Sequence, residues 1–414
     1  MKKASTSIVI IGTGTVGKAI AAAFKKMQPQ LKIHILSRSQ KSVDAAMAWL
    51  NKSNTSNISS HIVNALDTSS LSALLCSIHA PVVINAATPD TNLSIMTACL
   101  ESQSHYIDTA LFENRSDFNV PPPWYENEYA LSAEFQSKGL TAILSIGFDP
   151  GAVNVFCRYA QDVFFDYIDS IDVLCANVAT HTRFYSTNFN AATNLKELCE
   201  DTTFWRDRRW HSAAPFSRRG TFCFPHLGQQ PLYSVAHEEV HSLAKVFPEA
   251  DIEFWMRIAE PFKRTTETLY KLGLLSPNPI DIAGFDISPL EFVGKVLPTS
   301  DEFAHEYRGS VCVGTLIKGT RDGKPRKIFI HSLVHHEECY RSLGTHATAY
   351  TTAIPAMVAA SLILTGEWNV GRMVHPEELP SEPFLKKIRE FGLDWAVADS
   401  YQGHTFLDCE ILHS

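Results

Sequence analysis

The stretch Ile8-Val9-Ile10-Ile11-Gly12-Thr13-Gly14-Thr15-Val16-Gly17 constrains this chain more than any other, because an apolar run passes directly into three glycines spaced G-x-G-x-x-G. It reads as a buried strand, a tight turn and the start of a helix, and Ile20, Ala21 and Phe24 continue a helical stripe beyond it. In a dinucleotide-binding unit Gly12 would permit the turn, Gly14 would let a pyrophosphate approach the backbone, and Gly17 would let the helix pack close to the sheet. The helix start, at Thr15 and Val16, would offer unpaired N–H groups and the positive end of the helix dipole to the phosphates. An ordinary strand-loop-helix turn is the rival reading. The context favours nucleotide binding, since Lys32–Leu36 reads as the second strand that the motif requires.

The end of that second strand bears on which dinucleotide is bound. Folds selective for NADH place Asp or Glu about 20 residues beyond the glycines, where it bonds the ribose 2′-OH. Here the place is held by Ser37-Arg38-Ser39. An acid would repel a 2′-phosphate, whereas an arginine between two hydroxyls can hold one, so NADPH is expected over NADH. Helices and strands then alternate: a polar helix at 42–52, a strand near 58–63, a short helix near 71–75 and the strand Val82-Val83-Ile84. That rhythm predicts an α/β fold, a Rossmann doubly wound parallel sheet. Ligands of such sheets sit beyond the carboxyl ends of the strands, so Ala86, Ala87 and Thr88, which follow the fourth strand, are expected to line the cofactor cleft. A plain connecting turn is the alternative there. A helix near 92–101, a strand at 106–109, a Pro-rich loop at 121–123, a helix over 125–138 and a strand over 141–147 complete the first part.

From about residue 151 the pattern changes. Ile168–Ala176, Ile252–Ile258, Val311–Ile317 and Lys327–Val334 read as longer strands, and the last two flank Arg321-Asp322-Gly323-Lys324-Pro325, the turn chemistry of a hairpin. This predicts a second α+β domain containing a mostly antiparallel sheet, suited to substrate binding and dimerisation. The small residues of 350–360 suit a helix packed closely on a sheet.

Composition narrows the partners. A formal charge of -8 and a pI near 6.1, with no basic run, argue against nucleic acid and for a small molecule. Nine cysteines, scattered and without a C-x-x-C pair, fit reduced thiols in a cytoplasmic protein better than a disulfide framework or a metal site. No signal peptide is expected at the start, and no stretch approaches the about 20 apolar residues of a membrane span, so no membrane is expected.

At Gly147-Phe148-Asp149-Pro150-Gly151-Ala152-Val153-Asn154-Val155-Phe156 the chain resembles the saccharopine dehydrogenase superfamily, and within it the carboxynorspermidine (carboxyspermidine) dehydrogenase branch. The glycine motif, S-R-S at 37–39, T-N-F-N at 187–190, H-E-E at 237–239 and the late block H-H-E-E-C-Y-R-S-L-G-T-H-A-T-A-Y-T-T-A-I-P-A-M at 335–357 carry the likeness across nearly the whole chain. It implies an NADP-binding domain over 1–150, a substrate and dimerisation domain over 151–340, and C-terminal helices over 341–414 that return to the first domain. It also implies a homodimer and a reaction: aspartate semialdehyde and a diamine, 1,3-diaminopropane or putrescine, condense to an imine that NADPH reduces to a carboxylated polyamine.

The residues can be weighed against that chemistry. Asp149, at the expected carboxyl end of a strand, and His181, His335 and His336 are the acid-base candidates; capping for Asp149 and a structural or solvated role for the histidines are the rival readings. No metal is expected, since the late His-His-Glu-Glu run lacks metal-ligand spacing. The amino-acid end of the substrate needs a cation, for which Arg183 or an arginine of 206–209 serves, and the diamine end needs anions such as Glu238, Glu239, Glu337 and Glu338. Asn154 and Asn188 belong to the matching blocks and are expected at the substrate. Thr180 precedes His181 where the branch commonly carries an acid, which leaves the amine open. A saccharopine-reductase-like activity with an amino acid as the amine, and a non-catalytic NADP-binding protein, are the competing readings.

Overall fold

Ser7–Ile11 forms a strand buried at every position, as an unbroken run of β-branched residues requires when both faces of a parallel sheet are covered. It lies inside a seven-stranded sheet in the order Met373–Val374, Ala142–Ile143, His105–Asp108, Val82–Asn85, Ser7–Ile11, Lys32–Ser37, Ile58–Ile62, with every neighbouring pair parallel. Chain order reverses at the first strand, which pairs with the second on one side and the fourth on the other. The computed structural model describes residues 7–51, 57–113 and 118–399. These fall into two units, one within Met1–Asn114, Tyr125–Val155 and Ala349–Leu393, the other within Arg115–Trp124, Phe156–Thr348 and Asp394–Ser414.

In the first unit the helix Thr15–Met27 buries Gly17, Ala19, Ile20, Ala21, Ala23 and Phe24 along one stripe. Ile20 and Phe24 are fully buried, and each such side chain contributes roughly 1.5–3 kcal/mol. The strand expected over 141–147 pairs only at Ala142–Ile143. Ser145 adopts a left-handed conformation with φ 57° and turns the chain away, its N–H donating to the buried Asp108 carboxylate. The helix expected over 125–138 is two short ones, Glu126–Tyr129 and Ser132–Ser137, because a tight Leu131 N to Glu128 O bond of 2.9 Å closes the first before the second begins. Against the expectation that no stretch approaches a membrane span, the 19-residue helix Ala347–Thr365 is long and apolar enough to cross one by length and composition, because its apolar residues run on all sides; 83% of its most apolar window is buried inside the protein.

The second unit is built on a nine-stranded mixed sheet. Its central strand Arg308–Arg321 is antiparallel to both neighbours, Tyr167–Thr180 and Lys324–His335, and Asp251–Met256 joins Tyr167–Thr180 in parallel. Asp322 and Gly323, at φ 51° and 68°, make the two-residue turn between the long strands, the primed conformation that the twist of a hairpin demands. One side carries a core of Leu174, Phe222, Phe224, Trp255, Leu316 and Phe329. The smaller strands Thr202–Arg206, Arg209–Ala213, Arg219–Phe224 and Gly228–Ser234 extend the sheet through segments whose periodicity does not announce them.

Candidate active site

The glycine turn is a backbone construction. Gly12 has φ +112°, and a Cβ there would lie 2.4 Å from Ala86 O; a Cβ on Gly17 would lie 2.1 Å from Gly12 O. Neither position admits a side chain without moving main chain. Gly14 differs, for a Cβ on it would meet nothing within 4 Å, so the turn faces open space where a pyrophosphate has room. The helix that starts at Thr15 and Val16 has no side-chain cap and no acid in its first turn, which leaves its N–H groups for an anion.

Ala86 closes the other wall of this turn. Its N–H donates to Ile11 O at 2.8 Å, where the sheet reverses chain order. The loop Ala86–Thr88 is held from below by side chains: Ala87 N–H donates to Asn85 Oδ1 at 3.0 Å, Asn85 to Asn92 Oδ1 at 2.9 Å, and Asn92 to Ala110 O at 2.8 Å. Asn85, Asn92 and Asp108 are buried, and Asn92 was not legible as a site residue because its partners are distant in sequence. Of the triad after the second strand, Ser37 accepts from Thr13 Oγ1 at 3.1 Å and Ser39 caps the next helix through Ser42 N at 3.2 Å. Arg38 is exposed and, among the described residues, has no hydrogen-bond or ion-pair partner. A free guanidinium between two anchored serines fits a 2′-phosphate.

The turn-rich block after Ser145 folds onto itself. Gly147 N–H donates to Pro150 O at 2.8 Å, Ala152 N–H returns to Gly147 O at 3.0 Å, and a Cβ on Gly151 would lie 2.2 Å from Gly147 O. Asp149 sits half-buried in this turn, immediately before the helix Ala152–Val163. Asn154 is buried, accepts from Gly151 N–H at 2.8 Å and donates to Glu377 Oε2 at 3.1 Å, so both ends of its amide hold the first unit together.

The second unit gathers a polar-aromatic cluster around Tyr307. His336 stacks on the Tyr307 ring at 4.8 Å, and His181 and His346 lie 5.1 Å and 5.4 Å from it. The ring protons follow from the bonds. Ala347 N–H donates to His336 Nδ1 at 3.2 Å, so neutral His336 carries its proton on Nε2, which faces Asn177 Oδ1 at 3.3 Å. Likewise Arg183 N–H donates to His181 Nδ1 at 3.2 Å, leaving Nε2–H toward Ser186 Oγ at 3.1 Å. Asn177 donates on to Asn188 Oδ1 at 3.4 Å, and Ser300 joins Asn188 O to His346 Nε2. Burial pushes His336 down to about 3 and His346 to about 4, and it lowers His181 as well. These rings are neutral near pH 7. The Tyr307 hydroxyl is buried without a partner of hydrogen-bonding geometry, although nearby Ser186 eases its ionisation; burial still pushes it up to about 12.

His181, His336 and Asn188 therefore meet in one cluster, in which Asn177, Ser186, Tyr307 and His346 were not legible from the sequence. Arg183 stands at its edge, ion-paired with Glu306 at 3.3 Å and lying over Phe303. Arg206 faces Glu253 at 3.4 Å and Asp251 at 3.7 Å, and Arg208 pairs with Glu249. His335 bonds Ser310 Oγ at 2.7 Å. Glu337, in the first turn of the helix opened by His336, is 39% exposed and 3.9 Å from Arg308. Glu238 opens the helix Glu238–Val246, while its neighbour Glu239 is buried against His237. No group of three or more metal-ligating side chains is assembled among the described residues.

Residues 8–143 match the saccharopine dehydrogenase NADP binding domain, and residues 147–393 match the saccharopine dehydrogenase C-terminal domain. A carboxynorspermidine synthase of Vibrio cholerae is 36% identical over 405 residues, covering 96% of this chain and 98% of that one. A carboxyaminopropylagmatine dehydrogenase of Synechocystis sp. is 31% identical over 389 residues, covering 94% and 96%. Among solved structures, apo saccharopine dehydrogenase (L-Glu forming) from Saccharomyces cerevisiae aligns with a TM-score of 0.70 at 14% identity, covering 95% of this chain and all of that one, a likeness of fold.

Proposed function

This chain belongs to the saccharopine dehydrogenase family of NADP-binding oxidoreductases, and on that premise we propose that it joins aspartate semialdehyde to a diamine, 1,3-diaminopropane or putrescine, and reduces the resulting imine to a carboxylated polyamine. The observation that supports this reading most is the nearly end-to-end likeness to carboxynorspermidine synthase, which spans both units rather than the nucleotide turn alone.

The first unit holds NADPH through Gly12, Gly14 and Gly17, the N–H groups from Thr15 and Val16 onward, the loop Ala86–Thr88, and Arg38 beside Ser37 and Ser39. When bound there, NADPH would supply the hydride for the imine carbon. The rest falls to side chains. A diamine arrives protonated and must lose a proton before its nitrogen can attack an aldehyde, and the imine is a better hydride acceptor when protonated. His181, neutral and half-buried beside Ser186, is the ring we assign to that proton transfer; taking up a proton at Nδ1 requires release of the Arg183 N–H. His336, buried and held neutral with Nδ1 engaged by Ala347 N–H and Nε2–H by Asn177 Oδ1, acts by positioning the Asn177 side chain and not as a cationic acid. Asn188 completes that wall, and Glu238 and Glu337 are the anions proposed for the ammonium groups. Asp149 is the alternative acid-base group, and Asn154 acts by positioning the turn that carries it.

The test is turnover. Protein, NADPH and aspartate semialdehyde are mixed with diaminopropane, putrescine, agmatine or glutamate, and loss of reduced nicotinamide is followed. Diamine-dependent oxidation is expected. A requirement for glutamate would sink the diamine assignment, and no dependence on any amine would sink the reaction. Agmatine is a second amine reading, favoured by the name of the Synechocystis relative.

A further inference from the structure

Of the arginines that sequence position suggests for the substrate carboxylate, three are already neutralised within their own unit, Arg183 by Glu306, Arg206 by Glu253 and Asp251, Arg208 by Glu249, and the fourth, Arg209, is exposed. Arg257 is different. It follows the strand Asp251–Met256, and its N–H donates to Cys175 O at 2.7 Å, so the parallel neighbour Tyr167–Thr180 fixes its place. Its side chain is half-buried and meets only neutral acceptors, Gln230 Oε1 at 2.9 Å through Nε and Asn177 O at 2.8 Å through Nη1. Among the described residues it has no carboxylate partner. Arg209, Arg219 and Arg341 also lack one in this unit among the described residues, but they are exposed to solvent.

A cation taken partly out of water and given only neutral acceptors is poorly compensated until an anion completes it. Burial accordingly lowers the proton affinity of the Arg257 guanidinium. A guanidinium has five N–H donors, and two of these are used, so a planar oxyanion can still be held at two points. The position is also telling. Asn177, whose carbonyl holds Arg257, is the residue whose side chain accepts from His336 and donates to Asn188.

We propose that Arg257 is the carboxylate anchor of the substrate site: it binds the α-carboxylate of the amino-acid semialdehyde and sets which end of that molecule lies toward Asn177 and His336. This rests on the reading that the substrate is an amino-acid semialdehyde. The anchor is a neutral backbone carbonyl and a glutamine, so the guanidinium stays aimed and uncompensated until the substrate arrives.

The test separates the anchor from the reaction. NADP-saturated wild type, Arg257→Gln and Arg257→Lys are titrated calorimetrically with L-2-aminobutanoate, an unreactive isostere of aspartate semialdehyde, and with n-propylamine, the same molecule without the carboxylate. Arg257→Gln is expected to weaken aminobutanoate about 10–100-fold and leave propylamine unchanged, with Arg257→Lys in between. In turnover, KM for the semialdehyde rises by a similar factor while KM for the diamine stays. Equal binding of aminobutanoate by wild type and Arg257→Gln, parallel loss of both ligands, or no binding of aminobutanoate to the wild type would each overturn the assignment. Absence of diamine-dependent turnover in the wild type would instead overturn the reaction, and the binding split would still decide Arg257.

Discussion

The two units reach function by opposite routes. In the first, the groups proposed for the pyrophosphate are main-chain atoms of the glycine turn, with the Arg38 side chain proposed for the 2′-phosphate: Gly12 and Gly17 are glycines because neighbouring backbone stands 2.4 Å and 2.1 Å from where a Cβ would be. In the second, side chains from residues 177, 181, 188, 257, 307, 336 and 346 converge because long strands and a helix start bring them together. A backbone site tolerates change around it and fails when a glycine is replaced. A convergent side-chain site degrades residue by residue.

The sharpest way to break this contrast is Gly17→Val. Its side chain cannot fit beside Gly12 O, so NADPH affinity should fall more than about 100-fold, with a lower melting temperature; titration of nucleotide fluorescence reads the first and calorimetry the second. Wild-type affinity in that variant would remove the backbone account. His181→Asn should lower kcat about 100-fold and leave the NADPH Kd unchanged, whereas Asp149→Asn should do so only if the acid-base group lies in the first unit. Pre-steady-state hydride transfer distinguishes the two variants. Arg38→Ala should weaken NADPH about 10–100-fold and NADH hardly at all, and a uniform loss of both would count against a 2′-phosphate contact.

Smaller effects come from protonation in the second unit. His336, His346 and His331 are held at about 3, 4 and 4, below their ordinary 6.5, chiefly by burial. The unfolded chain therefore binds more protons, so the stability these rings contribute is full above 6.5 and is lost as pH falls toward 4. Melting temperature should drop over that window, and His346→Asn should reduce the slope. Asp172 runs the other way: burial, and then Glu253 on the paired strand, push it up to about 7. Its contribution is present in acid and declines as pH rises through 7, so Asp172→Asn, which keeps the acceptor for Trp255 Nε1, should gain a few degrees relative to wild type at pH 8 and less at pH 5.

Much of the first unit was legible. Strand, turn and helix are set by local rules, and the glycine spacing, the apolar run and Arg38 all lie within 8–38. Less of the second unit was. The hairpin at Asp322-Gly323 could be seen because its turn chemistry is local, and His181, Asn188 and His336 could be named from their blocks. Arg257 could not be chosen over Arg183 or Arg206, because an arginine's availability depends on whether a carboxylate lies beside it, and Glu306, Glu253 and Asp251 are placed by the fold.

The amino-acid sequence by itself determined a parallel α/β sheet of the NADP-binding kind and pointed to Gly12–Gly17 and Arg38 as the residues proposed to hold the cofactor, since hydrophobic periodicity, glycine sterics and charge sign act over a few residues. Only the tertiary structure decided which histidines are neutral, which proton each ring carries, and which half-buried guanidinium of the second unit lacks a carboxylate among the described residues. Burial and charge compensation are properties of neighbours in space, and in the second unit those neighbours are separated by long stretches of chain.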